Sequence, residues 1–178
     1  MLESVGMHDR YEPFARTFAE LTREELYEIL RVRAEIFVVG QRCFYLDPDG
    51  VDLDAVHVGL RDARGALAAY ARAYPEPGNP DVWRIGRVLA VRRGEGLGRL
   101  VMEAAEQAAA DRGATLLRMD AQRQAAGFYA RVGWRESGPD FDEAGIPHVR
   151  MEKVPDCSSC PSFTAPRRTA AAARKPPQ

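Results

Sequence analysis

The chain has no long apolar run and no strong excess of charge of either sign. No stretch approaches the roughly 20 consecutive apolar residues that a membrane span needs. The first residues lack the charged-then-apolar order of a signal peptide. The formal net charge of −1 offers no broad basic surface to nucleic acid or to an anionic membrane. The sequence therefore predicts a cytoplasmic protein whose partners include neither nucleic acid nor membrane.

Cysteine is also scarce. Three cysteines in 178 residues are too few, and odd in number, for a disulfide framework. Cys43 lies in an apolar stretch and is interpreted as a small buried side chain. Cys157 and Cys160 have the spacing of a metal or redox pair, but no second pair accompanies them. No metal site is predicted.

The overall composition, with 46% hydrophobic and 29% charged residues, is typical of one globular domain. Residues 1–12 show no periodicity and are predicted to fray. Residues 155–178 are rich in Pro, Ala, Ser and Arg, which predicts a disordered basic tail. The folded domain is therefore expected to span residues 13–154.

Hydrophobic periodicity predicts the element order β-α-(α)-β-β-β-α-β-α-β-β, in which the second helix is optional. Thr22 and Glu25 form a capping box at the start of the first helix. The helix from Leu97 crosses between the strand ending at Val91 and the strand starting at Ala114, so these two strands should lie parallel. The predicted strands are 14–20, 56–62, 66–75, 82–91, 114–120, 134–137 and 147–153, and the predicted helices are 22–37, 97–113 and 124–132.

An acidic, turn-rich loop covers residues 46–54 and contains Asp47, Asp49, Asp52 and Asp54. Such a loop can attract a cationic amine. It is interpreted here as a solvated turn.

A glycine-rich segment, RRGEGLGR, follows the strand that ends at Val91. A dinucleotide fingerprint G-x-G-x-x-G starting at Gly94 is broken by Arg99, and no Gly-Lys-Ser/Thr triplet follows. Arg93, Gly96 and Gly98 instead give R-x-x-G-x-G. Glycines at a helix N-terminus let peptide N–H groups approach an anion such as a pyrophosphate. A loop that uses its glycines only to turn is the alternative.

With its flanking segments, this loop resembles the GNAT superfamily of N-acetyltransferases, in particular the ElaA-like branch. The resemblance covers residues 20–57, 85–98, 121–134 and 142–151, which is nearly the whole predicted domain. It implies an α/β fold in which helices flank a mixed, mostly antiparallel twisted sheet with a splayed parallel central strand pair. It also implies acetyl-CoA as co-substrate, an amine acceptor, direct transfer in a ternary complex, and a monomer or homodimer.

Two departures from the family pattern stand out. The junction between Val91 and Arg92 is about two residues shorter than the family's, which bears on how the loop meets the pyrophosphate. Gly40 replaces an acidic residue of the family, so any contact of that carboxylate with the amine is absent here.

The resemblance assigns coenzyme contacts to the strand, the glycine loop and two later positions. These are Leu89, Ala90, Val91, Arg93, Gly94, Glu95, Gly96, Leu97, Gly98, Arg99, Gln122 and Phe128. Tyr129 matches the family tyrosine that protonates the departing thiolate. A phenol with a pKa near ~10 stays protonated at neutral pH, whereas a thiol has a pKa of about 8.5. A tyrosine that only packs is the alternative.

The proton acceptor is the least defined role. His57, which opens a strand after the acidic loop, is the candidate catalytic base. Glu35, Glu143 and His148 are candidate substrate-binding residues, and Glu35, His148 and, behind them, Glu143 are further candidates for the base. A relay through ordered water needs no single base.

Two other functions are weighed. A non-catalytic GNAT-fold module that senses acyl-CoA or binds a protein is consistent with the short junction and with Gly40. A Rossmann oxidoreductase ranks third, because Arg99 breaks its fingerprint and the early hairpin strands do not suit that fold.

Overall fold

The computed structural model describes residues 10–41, 46–143 and 145–156. The predictions made for residues 1–9, for Cys43 and for the tail with Cys157 and Cys160 lie outside these ranges. None of the helices in the described ranges is long and apolar enough to cross a membrane.

The described chain forms one mixed sheet with helices on both faces. The strands are β1 (Glu12–Thr17), β2 (Val56–Arg61), β3 (Leu67–Glu76), β4 (Asn79–Ala90), β5 (Leu116–Gln122), β6 (Arg135–Glu136), β7 (Phe141–Glu143) and β8 (Ile146–Lys153). The helices are α1 (Arg23–Arg33), α2 (Leu97–Ala110) and α3 (Ala126–Arg131). Single 3₁₀ turns cover Phe18–Glu20, Val51–Leu53 and Arg123–Ala125.

The strands lie in the order β1-β2-β3-β4-β5-β8-β6, and β7 also pairs with β8. Each neighbouring pair is antiparallel except β4 and β5, which are parallel. The crossover through α2 requires this arrangement. The predicted fold class, with its parallel central pair, is confirmed.

Local sequence signals account for the helix ends. The peptide N–H of Glu25 donates to Thr22 Oγ1 over 3.2 Å, and the N–H of Thr22 donates to the Glu25 carboxylate over 3.0 Å. The predicted capping box is therefore present. Beyond Arg33 the helix continues as a π-helical segment, Ala34–Gly40; the sequence predicted helix as far as Phe37 but not the π-helical form.

Several predicted bounds differ from the structure. The first strand begins at Glu12 and ends at Thr17, where a 3₁₀ turn takes over. The predicted loop before β4 is a tight turn, because Glu76 and Asn79 already pair across the β3–β4 hairpin. Strand β7 was not predicted; it is three residues long and forms only through its pairing with β8.

Two hydrophobic cores lie on opposite faces of the sheet. The larger packs α2 against the central strands and includes Val58, Ile85, Val101 and Met119. The smaller packs α1 against Phe14, Tyr70 and Leu89. Phe37 of the π-helical segment belongs to this smaller core and also lines the candidate site.

Candidate active site

The parallel strands β4 and β5 separate soon after they meet. Their pairing joins Val82–Arg84 to Leu116–Arg118 and then stops. A cavity of about 480 Å³ lies where they diverge. The described residues of the two strands that line it are Arg84, Ile85, Gly86, Arg87, Val88, Met119, Asp120, Ala121 and Gln122.

A bulge in β4 accompanies the separation. Tyr70 pairs with Leu89 while Arg72 pairs with Gly86, so β4 carries one extra residue there. Arg87 has a positive φ of 53°, a backbone conformation that residues other than glycine rarely adopt. The insertion reverses the side-chain alternation, because Ile85 belongs to the α2 core and Leu89 to the α1 core.

A buried ionic cluster holds this bulge. Arg87 Nε donates to Asp47 Oδ1 over 2.8 Å. The fully buried Arg33 donates to Asp47 over 2.9 Å and to Asp52 over 2.6 Å. Arg72 donates to Asp52 over 2.9 Å and also binds Asp49. The cluster therefore connects α1, the acidic loop, β3 and the β4 bulge.

The acidic loop is thus not the solvated turn that the sequence predicted. Asp47 and Asp52 are buried. Burial opposes the ionisation of Asp49, but hydrogen bonds and charge from Arg72, with a contribution from Arg87, lower its pKa to about 2. Because these carboxylates already bind guanidinium groups, they serve the fold rather than a cationic substrate.

The backbone of β4 presents a free edge to the cleft. The N–H of Val91 donates to the carbonyl of Ala68 over 2.9 Å, and Leu89 pairs with Tyr70 in the same ladder. In an antiparallel ladder, alternate residues direct their peptide groups to opposite edges. The peptide groups of Ala90 therefore point toward the edge that faces β5.

The glycine loop continues directly from this edge. Gly94 and Gly96 have positive φ values of 82° and 68°, and Gly96 is the N-cap of α2. A Cβ on Gly98 would lie 3.3 Å from the ring of Phe128, so a larger residue there would crowd α3. These glycines are thus required by backbone geometry and close packing.

The charged residues of the loop point in different directions. Arg92 pairs with Asp62 over 3.2 Å, and Glu95 accepts a hydrogen bond of 2.6 Å from the Tyr11 hydroxyl. Arg99 pairs with Glu103 one turn along α2, over 3.4 Å. Arg93 is exposed and forms no ion pair with any described residue. It is the loop's available cation.

Tyr129 lies on α3 and lines the same cleft. Its ring packs edge-on against Phe128, with 5.1 Å between centroids. Burial raises the pKa of the Tyr129 phenol to about 12. No residue in the described ranges hydrogen-bonds its hydroxyl, which leaves this donor available inside the cleft.

His148 and Glu143 line the cleft, together with Gln122. His148 Nδ1 lies 2.8 Å from the carbonyl of Ile146, and His148 Nε2 lies 3.9 Å from Glu143 Oε2. The amide of Gln122 donates to Gln41 over 2.9 Å, so it joins the end of the π-helical segment to β5.

Residues 84–155 match the acetyltransferase (GNAT) domain. A UPF0039 protein of Synechocystis is 37% identical to this chain. The aligned region covers 75% of this chain and 89% of the Synechocystis protein. The chain belongs to the GNAT acetyltransferase family. This confirms the resemblance found in the sequence.

Two crystal structures share the fold of this GNAT protein. An acyl-CoA N-acyltransferase from Pseudomonas aeruginosa superposes with a TM-score of 0.73 at 34% identity, covering 80% of this chain and 99% of that one. Escherichia coli ElaA superposes with a TM-score of 0.72 at 30% identity, with the same coverage. The fold implies an acyl-CoA co-substrate and an acceptor.

Two predicted site residues lie away from the cleft of this GNAT protein. His57 is fully buried, with Nδ1 2.8 Å from the Tyr70 hydroxyl and Nε2 3.0 Å from the carbonyl of Asp52. Burial lowers its pKa, so the ring stays neutral. Glu35 is exposed and pairs with Arg31 over 2.6 Å. Neither position suits a base or a substrate contact.

The predicted coenzyme residues divide into cleft, loop and core positions. Leu89 is buried in the α1 core, and Leu97 in the α2 core. Only the backbone of these two residues can contribute to binding. Val91 is exposed beside the loop. Phe128 supports Gly98 and Tyr129 rather than facing the cavity.

The family resemblance implies a bulge in this strand, but sequence reasoning did not identify Arg87 at the bulge or its ionic partners. Arg87, Arg72 and Asp49 all line the cleft. One signal was available, because a glycine inside a strand pattern, here Gly86, indicates a bulge. The pairing of Arg87 with Asp47 had no local signal, because 40 residues separate them.

Proposed function

We propose that this GNAT protein transfers an acetyl group from acetyl-CoA to a primary amine, directly and with both substrates bound. One observation carries the proposal. Among the described residues the hydroxyl of Tyr129 has no hydrogen-bond partner, and Tyr129 lines the cleft between the separated strands β4 and β5. A proton donor beside an open strand edge is what thioester aminolysis requires.

The chain's own groups fit the coenzyme. Acetyl-CoA would supply the acyl group as an activated thioester. Arg93 and the loop peptides from Gly94 to Gly98 would hold its pyrophosphate at the N-terminus of α2. The free peptide edge at Ala90 would bind the pantetheine arm and offer an N–H donor to the developing oxyanion.

Tyr129 then protonates the departing sulfur. With a pKa of about 12, the phenol is protonated throughout the physiological range. The burial that raises this pKa also disfavours a free thiolate in the cleft, so proton transfer accompanies C–S cleavage. The cavity of about 480 Å³ must hold both the coenzyme arm and the acceptor, which favours a short acyl group.

The proposal is tested by binding and by turnover. CoA at 100 times its Kd should stabilise the protein by about 2.7 kcal/mol, measured as a rise in Tm. Acetyl-CoA should release free thiol in the presence of a primary amine, measured by thiol titration across diamines, arylamines, lysine and peptide N-termini. Mass spectrometry of the product should show one added acetyl group.

Arg93→Ala and Arg64→Ala form a matched pair for the coenzyme site. Arg64 is an exposed arginine in the β2–β3 turn and forms no ion pair with any described residue. Arg93→Ala should raise the Kd for CoA, while Arg64→Ala should leave it unchanged. CoA binding without transfer to any amine would instead favour the acyl-CoA-sensing module. An unchanged Tm with CoA would refute both functions.

A further inference from the structure

The two histidines in the described ranges use their ring nitrogens differently. At His57 both nitrogens are occupied, one by the Asp52 carbonyl and one by the Tyr70 hydroxyl. At His148 only Nδ1 is occupied, over 2.8 Å, by the Ile146 carbonyl. A carbonyl oxygen can only accept, so Nδ1 of His148 carries the proton. The lone pair of the neutral ring is therefore on Nε2.

The His148 ring is held in place. It stacks on Phe141 with 5.9 Å between centroids and a 27° interplanar angle, and the residue is only 9% exposed. Within the described chain, Nε2 has no hydrogen-bond partner; the nearest carboxylate, on Glu143, is 3.9 Å away. The result is an oriented proton acceptor in the wall of the cleft.

The surrounding charges indicate where a cation can bind. On the neighbouring strand β5, Asp120 is paired with Arg84 of β4 and Arg150 of β8. Asp49 is paired with Arg72 and Arg87. Among the carboxylates of the described cleft wall, Glu143 is the one without a guanidinium partner. A protonated amine is therefore drawn to the side of the cleft where His148 lies.

We propose that His148 is the catalytic base, and that Glu143 binds the ammonium group of the acceptor beside it. This inference rests on the proposed N-acetyltransferase function. It replaces His57 and Glu35 as candidates and needs no water relay.

These residues account for each proton that moves during the reaction. The ammonium group of the acceptor gives one proton to His148 Nε2 and becomes a neutral amine. Its lone pair forms the C–N bond while the C–S bond breaks, and Tyr129 gives its proton to the sulfur. The nitrogen then loses a second proton, which restores the Tyr129 phenol. The imidazolium of His148 returns its proton to solvent.

The test compares His148→Asn with the wild-type chain on an amine identified by thiol release. The Asn amide can still donate to the Ile146 carbonyl, so the loop keeps its contact while the base is lost. At pH 7, kcat/KM should fall by about 100-fold or more. The loss should shrink as pH rises toward the pKa of the amine, because the free amine then needs no base. A purely structural role would not give this rescue.

Three further measurements make the result interpretable. Glu143→Gln should raise KM for a cationic amine about fivefold and leave kcat nearly unchanged. Glu35→Gln, whose carboxylate lies outside the cleft, should change neither. The Kd for CoA should be the same in all of these variants.

The outcomes separate this inference from the function itself. If the wild-type chain acetylates an amine and His148→Asn retains its rate and pH profile, the base assignment is wrong. The same conclusion follows if the loss is equal at every pH. If the wild-type chain acetylates no amine, the proposed function fails and the base assignment fails with it.

Discussion

At the scale of single residues, hydrogen-bond partners rather than burial decide which proton donors and acceptors are available. His57 and His148 are both buried, yet only His148 keeps a free lone pair, because of what its other nitrogen contacts. Tyr70 and Tyr129 differ in the same way: the Tyr70 hydroxyl is engaged by His57, and the Tyr129 hydroxyl has no described partner. Chemical identity alone does not separate the members of either pair.

Replacing Tyr129 with Phe tests the proton donor. Tyr129→Phe should lower kcat about 100-fold, because no positioned side chain then donates a proton to the leaving thiolate. The Kd for acetyl-CoA should stay within a factor of about two, since the loop and the β4 edge are untouched. Tyr27→Phe, at an exposed tyrosine of α1, serves as the control.

The pKa of Tyr129 adds a second expectation for the wild-type chain. Because that pKa is about 12, ionisation of this phenol should produce no basic limb in kcat up to about pH 10. Steady-state rates measured from pH 6 to 10 check this. An unchanged kcat in Tyr129→Phe would remove the residue from the mechanism.

At the scale of elements, the site depends on ion pairs and hydrogen bonds that join separate segments of the chain. The buried arginines and aspartates join α1 and the acidic loop to the β4 bulge. The short junction after Val91 is braced in a similar way. Asp62 of the β2–β3 turn forms an ion pair with Arg92. Tyr11, just before β1, donates a hydrogen bond to Glu95.

The bond between Tyr11 and Glu95 should matter for coenzyme binding. Without it, the Glu95 carboxylate keeps only its 3.7 Å pairing with Arg92 and can more readily approach the proposed pyrophosphate site and repel the anion. Tyr11→Phe should therefore raise the Kd for CoA about fivefold with little change in kcat at saturation, as measured by calorimetric titration. In a Glu95→Gln background the same change should have no further effect. Additive effects of the two substitutions would show that Tyr11 does not act through Glu95.

At the scale of the whole molecule, the folded state excludes a proton that the unfolded chain binds. Burial lowers the pKa of His57, and Arg33 and Arg72 lower it further. In the unfolded chain a histidine has a pKa near ~6.5. Below that pH the unfolded chain takes up a proton that folded His57 does not, so stability falls as pH decreases.

Acid sensitivity should therefore be present in the wild-type chain and reduced when His57 is replaced. Between pH 7.5 and 5.5 the free energy of unfolding should fall, by at most about 1.4 kcal/mol per pH unit from this residue. His57→Gln should be less stable at pH 7.5, because it loses two buried hydrogen bonds. Its stability should also change less with pH than that of the wild type. Urea unfolding at several pH values measures both. If the free energy of unfolding changes equally with pH in wild type and in His57→Gln, the assignment of this pH dependence to His57 is wrong. His148→Asn serves as the control at the other histidine.

Much of the fold could be predicted from local sequence. The Thr22–Glu25 capping box, the apolar stripe of α2 and the crossover that makes β4 and β5 parallel depend on residues close together in the chain. The glycine loop was found for the same reason, since its backbone conformation needs Gly94 and Gly96 whatever surrounds them. Strand β7 was missed because three residues carry little periodicity.

The sequence by itself determined the family, the element order and the glycine loop, because these are encoded in spacing and backbone preference. Only the tertiary structure decided which side chains reach the cleft. It buried His57, left Glu35 in solvent and brought His148 beside Glu143. It also joined Arg87 to Asp47 across 40 residues and so fixed the bulge where β4 leaves β5. Charge pairing and burial depend on neighbours distant in sequence, and no local pattern contains them.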